Sequence, residues 1–220
     1  IIMNTCHFKN QLPARAFSLI EVVLAIGIFL VTVLTLVGLL GPTLKSVDDV
    51  EQMDAVSSVV NTLNTLLQKS PNIAPGGSKF DVIYGAVASG NYATVFVFNA
   101  YTDATSADTE LKVGFFAESV GVDALILEAD FSNAVGTIYR AVLSPSSALP
   151  ATERDPERNG DGIYALKNDL GDYPEGYFAM EVRIFAEDPP GPSKSFQASK
   201  DLSELSDVEP IFTYNTAVVH

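Results

Sequence analysis

Thiol and imidazole side chains are nearly absent from this chain of 220 residues, which has one cysteine, Cys6, and two histidines, His7 and His220. Catalysis by a thiol, or by a serine activated through a histidine, needs those groups on fixed elements, and so does a Cys/His metal centre. No such set can be assembled, and the chain is expected not to be an enzyme. Basic charge is the second scarcity: 13 Lys and Arg stand against 27 Asp and Glu, a formal net charge of −14. A balance of that sign argues against nucleic acid and anionic lipid as partners. The third scarcity is local. From Val22 to Leu44 there are 23 residues without Asp, Glu, Lys, Arg or His.

That run is long enough to cross a bilayer as a helix, which takes about 20 residues at about 1.5 Å each. An acid, Glu21, sits at its mouth in Phe17-Ser18-Leu19-Ile20-Glu21. An ionised carboxylate at the centre of a membrane helix costs about 2.5 to 3.5 kcal/mol on insertion scales, and less near the interface. One reading is that Glu21 marks the helix N-terminus, where the macrodipole favours an anion. Upstream, residues 1 to 16 contain Lys9, Arg15 and His7 but no acid. The small residue that could mark a cleavage site, Ala16, precedes the apolar run, whereas a secretory signal places it after. Basic charge before the helix puts the N-terminus in the cytoplasm and the acidic bulk outside.

Arg15-Ala16-Phe17-Ser18-Leu19-Ile20-Glu21-Val22-Val23-Leu24-Ala25 resembles the class III signal of type IV pilins and of the pseudopilins of type II secretion. The resemblance implies cleavage between Ala16 and Phe17 by a prepilin peptidase, which also methylates the new amine of Phe17. It makes Glu21 the fifth-position acid, which in the family pairs with the N-terminal amine of a neighbouring subunit during assembly. Such a pair attracts far more strongly between apolar helices than in water. Two features depart from the family: Ala16 stands where Gly is usual, and the helix breakers Gly27, Gly38 and Gly41-Pro42 are shifted. The match covers about 30 residues. FSLIEVVLAIGIF followed by GLLGPTL also resembles the pilin-like proteins of Verru_Chthon cassettes.

Cleavage after Ala16 would remove Cys6, Lys9 and Arg15, leaving 11 basic against 27 acidic residues, a charge of −16 and no disulfide. The remaining domain would be held by core packing, and the 175 or so residues beyond the membrane run are enough for one core. Val47, Val50, Met53, Val56, Val60, Leu63 and Leu67 recur at three- and four-residue steps, with Asp48, Asp49, Glu51 and Gln52 facing elsewhere. One helix from about Phe17 to Lys69, with a kink at Pro42, fits this pattern, as does a membrane helix followed by a separate soluble one. Ser70-Pro71 and Ala74-Pro75-Gly76-Gly77 end it.

Strands are expected at Ala93–Tyr101, Val113–Ala117, Gly136–Leu143 and Tyr177–Ala186, with weaker ones at Phe80–Tyr84, Ala124–Glu128 and Pro210–Val219. Alternation at Phe178, Met180, Val182 and Ile184 suggests a sheet with one face buried and the other turned to solvent or a neighbour. The expected fold is therefore α+β, a long N-terminal helix packed on an antiparallel sheet, which is also the pilin-like architecture. Its parts are a leader at 1–16, a membrane-spanning half-helix at 17–44, an amphipathic half at 45–70 and a β-rich periplasmic or extracellular domain at 71–220.

Asp155, Glu157, Asn159 and Asp161 place oxygens at alternate positions, with Gly160 sixth, like the first half of a calcium loop, and Asp169 and Asp172 are further candidate ligands. The twelfth position is Leu166, so the bidentate acid is missing, and a type I′ or related turn at Asn159-Gly160 accounts for the glycines without a metal. The Pro189-Pro190-Gly191-Pro192 run with Ser193, Lys194 and Ser195 reads as an exposed loop. No cofactor other than calcium is indicated. Two functions follow: a pilus or pseudopilus subunit, whose partners are the prepilin peptidase/methyltransferase, other pilin or pseudopilin subunits and the inner membrane, or a single-pass anchored ligand-binding or sensor domain that never polymerises.

Overall fold

The computed structural model describes residues 18–69, 78–103, 107–116, 125–191, 195–205 and 208–220, with only the helical backbone described for 40–52. Ala16, Phe17 and the side chains of Pro42, Val47 and Val50 lie outside what is described. The chain divides into two compact units, Ile1–Gln52 and Met53–His220. The division falls inside one unbroken helix, α1, Leu19–Lys69. The second half of the helix therefore belongs with the globular unit.

In that unit α1 presents Val59, Leu63, Leu66 and Leu67, all buried, which recur at three- and four-residue steps and so lie on one face. Met53, expected on this stripe, is 73% exposed; among the described residues Val56 is half-buried and Val59 is the first to be buried in the core. A second helix, α2, Lys79–Gly90, replaces the strand expected at Phe80–Tyr84. The helical spacing of Phe80, Ile83, Tyr84 and Val87 decides this, since all four are buried on one side. Ser78 caps the helix by accepting from Asp81 N–H, and Asn91 ends it in the left-handed conformation at φ 61°.

Six strands follow: β1 Ala93–Tyr101, β2 Thr109–Phe116, β3 Leu125–Ile126, β4 Ala134–Pro145, β5 Tyr177–Glu187 and β6 Phe212–Val219. They form one sheet in the order β3-β2-β1-β4-β5-β6. All neighbouring pairs are antiparallel except β2 and β3, which run parallel with Phe115 beside Leu125. The sheet is thus mixed rather than purely antiparallel, and the fold is α+β. The β1–β4 register shifts between Val97 and Asn99. Gly136 turns through φ +73° opposite that irregularity, a conformation that favours glycine.

Both sheet faces are buried, against the expectation of one open face. On the first face Val95, Val97, Phe115, Ala141, Leu143, Val182 and Ile184 share a core with α2 and the second half of α1. On the opposite face Phe96, Phe98 and Ile138 pack with Phe131, Phe196 and Ala198, while Val142 and Phe185 pack with Ile163, Leu202 and Leu205. The second layer is built from 3-10 turns and coil rather than helices. Phe131 centres it, lying 4.5 Å from Phe196, 4.8 Å from Phe96 and 4.9 Å from Phe98 between ring centroids.

If the second half of α1 is a core element, Leu63→Ala will cost about 2 to 5 kcal/mol of unfolding free energy. Met53→Ala will stay within about 0.5 kcal/mol of the parent. Denaturant titration of the two variants, followed by circular dichroism, checks this pair.

Candidate functional site

At the first turn of α1, Glu21 Oε2 accepts from Ser18 N–H at 2.9 Å and lies 3.0 Å from Ser18 Oγ. Ser18 Oγ in turn accepts from Glu21 N–H at 3.3 Å. This reciprocal pair is a capping box, in which two of the four unsatisfied N-terminal donors of the helix find side-chain acceptors. The signal was present as Ser18-x-x-Glu21, and the macrodipole reading of Glu21 captured only its electrostatic half. Among the described residues the cap engages only Oε2 of Glu21, and each carboxylate oxygen has more than one acceptor direction.

The helix that follows has no sheltered side in its first half. Leu19 is 85% exposed and Leu34 72%, and Val23, Leu24, Phe29, Val31 and Leu36 are exposed as well. The stretch Leu19–Leu39 is long and apolar enough to cross a membrane. A helix apolar on every side is suited to lipid or to burial among other helices. Its two hydroxyls, Thr32 and Thr35, donate back to Ile28 O and Val31 O at 2.8 Å, so neither is left unsatisfied in an apolar surrounding.

The acidic loop around Asp155 is organised by protein groups. Asn159 N–H donates to Ile163 O at 2.8 Å and Gly162 N–H to Asn159 O at 3.0 Å. Gly162, not Gly160, takes the positive φ, +73°. The turn therefore spans Asn159–Gly162 and is closed by a left-handed glycine, which is related to the type I′ turn expected at Asn159-Gly160 but not that turn itself. Asn159 Oδ1 accepts from the N–H groups of Asp161 and Ile163, which turns that oxygen into the loop. Arg158 crosses the loop, donating to Gly162 O and to both oxygens of Glu181 at 2.9 and 2.6 Å. The Arg158 and Arg154 guanidinium groups lie 4.8 and 4.3 Å from the Tyr164 ring centroid. Asp169 precedes and Asp172 ends a separate 3-10 turn, Leu170–Asp172. Among the described residues no group of three or more His, Cys, Asp or Glu is placed to hold a metal ion.

The strongest buried charge was not read from the sequence. Arg140, on β4, is 1% exposed. It donates to Glu187, to Ala198 O at 2.6 Å and to Gln197 O at 2.7 Å, and its guanidinium carbon lies 4.7 Å from the Phe96 ring. Lys200 reaches the same Glu187 at 2.9 Å. Burial pushes the Glu187 carboxyl up, but the hydrogen bonds and charges of Arg140 and Lys200 outweigh it, and the net shift is downward. Nothing in the local sequence Ile138-Tyr139-Arg140-Ala141 signals a buried arginine, since its partners come from residues 187 to 200. The cluster is a structural tie between β4, the end of β5 and the coil beyond it.

A carboxyl whose folded pKa is depressed contributes stability above its unfolded pKa and loses it as the pH falls through the folded value. Stability is therefore expected to fall as acid takes the pH below about 4.5. Glu187→Gln should lower stability at pH 7 and flatten that acid limb, as measured by urea midpoints across pH 3 to 7.

Comparison with protein-family models, with curated proteins and with solved structures finds no match to this chain.

Proposed function

We propose that this protein is a structural subunit of a type IV pilus or a type II secretion pseudopilus, in a minor role. In this reading a prepilin peptidase cuts after Ala16, Phe17 is methylated, and the helix holds the subunit in the inner membrane until it joins a filament. The N-terminus is cytoplasmic before processing, and the acidic domain is periplasmic or extracellular. One observation carries the reading: an acid at the fifth position after the Ala16-Phe17 junction heads a helix whose apolar side chains, over Leu19–Leu39, are exposed on every side. An unpaired carboxylate beside lipid is costly, and the amine of Phe17 on a neighbouring subunit would relieve that cost. The exposed apolar helix would be covered by the corresponding helices of neighbours.

The capping box favours a second reading, a single-pass anchored domain that does not polymerise. Ser18 gives Glu21 a role inside its own chain, so an intermolecular partner is not required to explain the acid.

Mass spectrometry of the membrane-extracted protein separates the two. An N-terminal methyl-Phe17 is expected, and an intact leader would sink the filament reading. The two substitutions Ser18→Ala and Glu21→Ala add a finer distinction. Loss of the cap costs about 0.5 to 2 kcal/mol at the helix start in either variant. Only Glu21→Ala should abolish incorporation into filaments; equal behaviour of the two variants would reduce Glu21 to a cap.

A further inference from the structure

The loop from Asp155 to Tyr164 is tied to the sheet at few points. At its base Asp155 N–H donates to Ala165 O at 2.9 Å, and Ile163 is buried in the core with Val142 and Phe185. Residues 156–160 are exposed, and the turn at Asn159–Gly162 bonds to itself and to Ile163. Among the described residues, the only hydrogen bonds that run from residues 156–162 to a strand are those of Arg158 with Glu181 on β5. Arg158 Nη1 donates to Glu181 Oε1 at 2.9 Å and Nη2 to Oε2 at 2.6 Å.

Glu181 has a second arginine within reach. Arg183, two residues along β5 and so on the same face, has its Nε 3.8 Å from Glu181 Oε1, an ion pair too long for a hydrogen bond. Arg183 Nε and Nη2 are buried and have no hydrogen-bond partner among the described residues. These two nitrogens share one edge of the guanidinium, the fork that takes a carboxylate through two parallel bonds. The loop tip lies beside it: a Cβ at Gly162 would stand 3.8 Å from Arg183 Nη1. Burial makes the Arg183 guanidinium less basic than usual, whereas the hydrogen bond to Glu181 makes that of Arg158 more so.

We infer that Arg158 is a releasable bolt on the loop tip: when it lets go, Glu181 passes to the free fork of Arg183, and the tip lifts without leaving a buried charge alone. Removing one partner from a buried ion pair is costly chiefly because the other is left uncompensated. Here the side chains of Glu181 and Arg183 are 11% and 16% exposed and stay sheltered together, while that of Arg158, at 39%, is the one that water can take over. The exchange also gives an acceptor to two buried donors that have none while the loop is closed. The base of the loop holds through Ile163 and the bond from Asp155 to Ala165, so the sheet beneath stays folded. What moves is a charged segment that carries Glu157, Arg158 and Asp161. The inference is independent of processing at Ala16 and of filament assembly.

The test uses the full chain in detergent micelles. Arg158→Ala should raise the unfolding constant in urea titrations by about tenfold or less, whereas an ordinary buried pair that loses one partner raises it by about two to four decades. Arg183→Met keeps an apolar stem in place and should change the constant by less than about threefold. The double variant leaves Glu181 with neither arginine, and its effect should exceed the product of the two single effects by about thirtyfold. An excess under about fivefold would overturn the inference, as would a rise of two decades from Arg158→Ala alone. Should the double variant fail to fold, the Arg158→Ala chain labelled with nitrogen-15 arginine decides. Its Arg183 Nε–H proton should move downfield and exchange with water about tenfold more slowly than in the parent, having taken up Glu181. An Arg183 signal unchanged from the parent would sink the exchange, whatever the stabilities.

Discussion

A fully buried guanidinium is costly without charge and hydrogen-bond partners, and at Arg140 that requirement organises one whole layer. Arg140 projects from the middle of the sheet into its second face, where removing one partner of a buried pair would leave an uncompensated charge. Its partners are not neighbours in sequence: Glu187 at the end of β5, and the carbonyls of Gln197 and Ala198 in the coil beyond. Satisfying Arg140 therefore pulls the coil at 195–205 across the sheet, and with it Phe196, Ala198, Leu202 and Leu205. The aromatic cluster around Phe131 gains its lid from the same segment. A polar demand thus determines where apolar area is buried, in a layer with no helix of its own to provide a rigid face.

The N-terminal half of α1 follows a different rule. Its side chains find no apolar partners within the described residues, and its polar groups are satisfied locally: Ser18 with Glu21, Thr32 with Ile28, Thr35 with Val31. Such a segment has no need of the rest of its chain for hydrogen bonding and takes its stability from whatever surrounds it. The capping box also bears on the charge of Glu21. It uses one oxygen and holds the carboxylate at the helix start in a fixed direction, so a cation approaching from a neighbour would meet an acceptor already oriented.

Elements defined by local pattern were legible in the sequence. Ala93–Tyr101 matches β1 at both ends, and Tyr177–Ala186 differs from β5 by one residue, because period-two apolar segments bounded by turns state their own conformation. The helix to Lys69 was legible from a different local pattern, apolar residues at three- and four-residue steps. The reading failed where the decision depended on distant partners. Phe80–Tyr84 alone is short enough to pass as a strand; the helical face emerges only when the window is extended to Val87, and it packs Phe80 and Tyr84 beside Tyr173 and Phe178. The second buried face escaped because it is covered by irregular coil, whose apolar residues have no period. Of the candidate site, Glu21 was legible by its anomaly within an apolar run. Its partner Ser18 was passed over because a serine beside an apolar helix is unremarked until the fourth residue is counted.

The pairing of basic residues has a consequence beyond stability. Every Lys and Arg whose side chain is described, from Lys79 and Lys112 through Arg140, Arg154, Arg158, Lys167 and Arg183 to Lys200, reaches a carboxylate or a carbonyl of the same chain. The cations act as internal fasteners, so the outward field is set by carboxylates and by the mobile counterions that gather around them. Such an ion atmosphere has a thickness of about 8 Å at physiological ionic strength. Copies displayed side by side would behave as soft, mutually repelling bodies whose closest spacing contracts as salt rises. The same arginines and lysines that hold the domain together thereby make its crowding on a surface a matter of the medium.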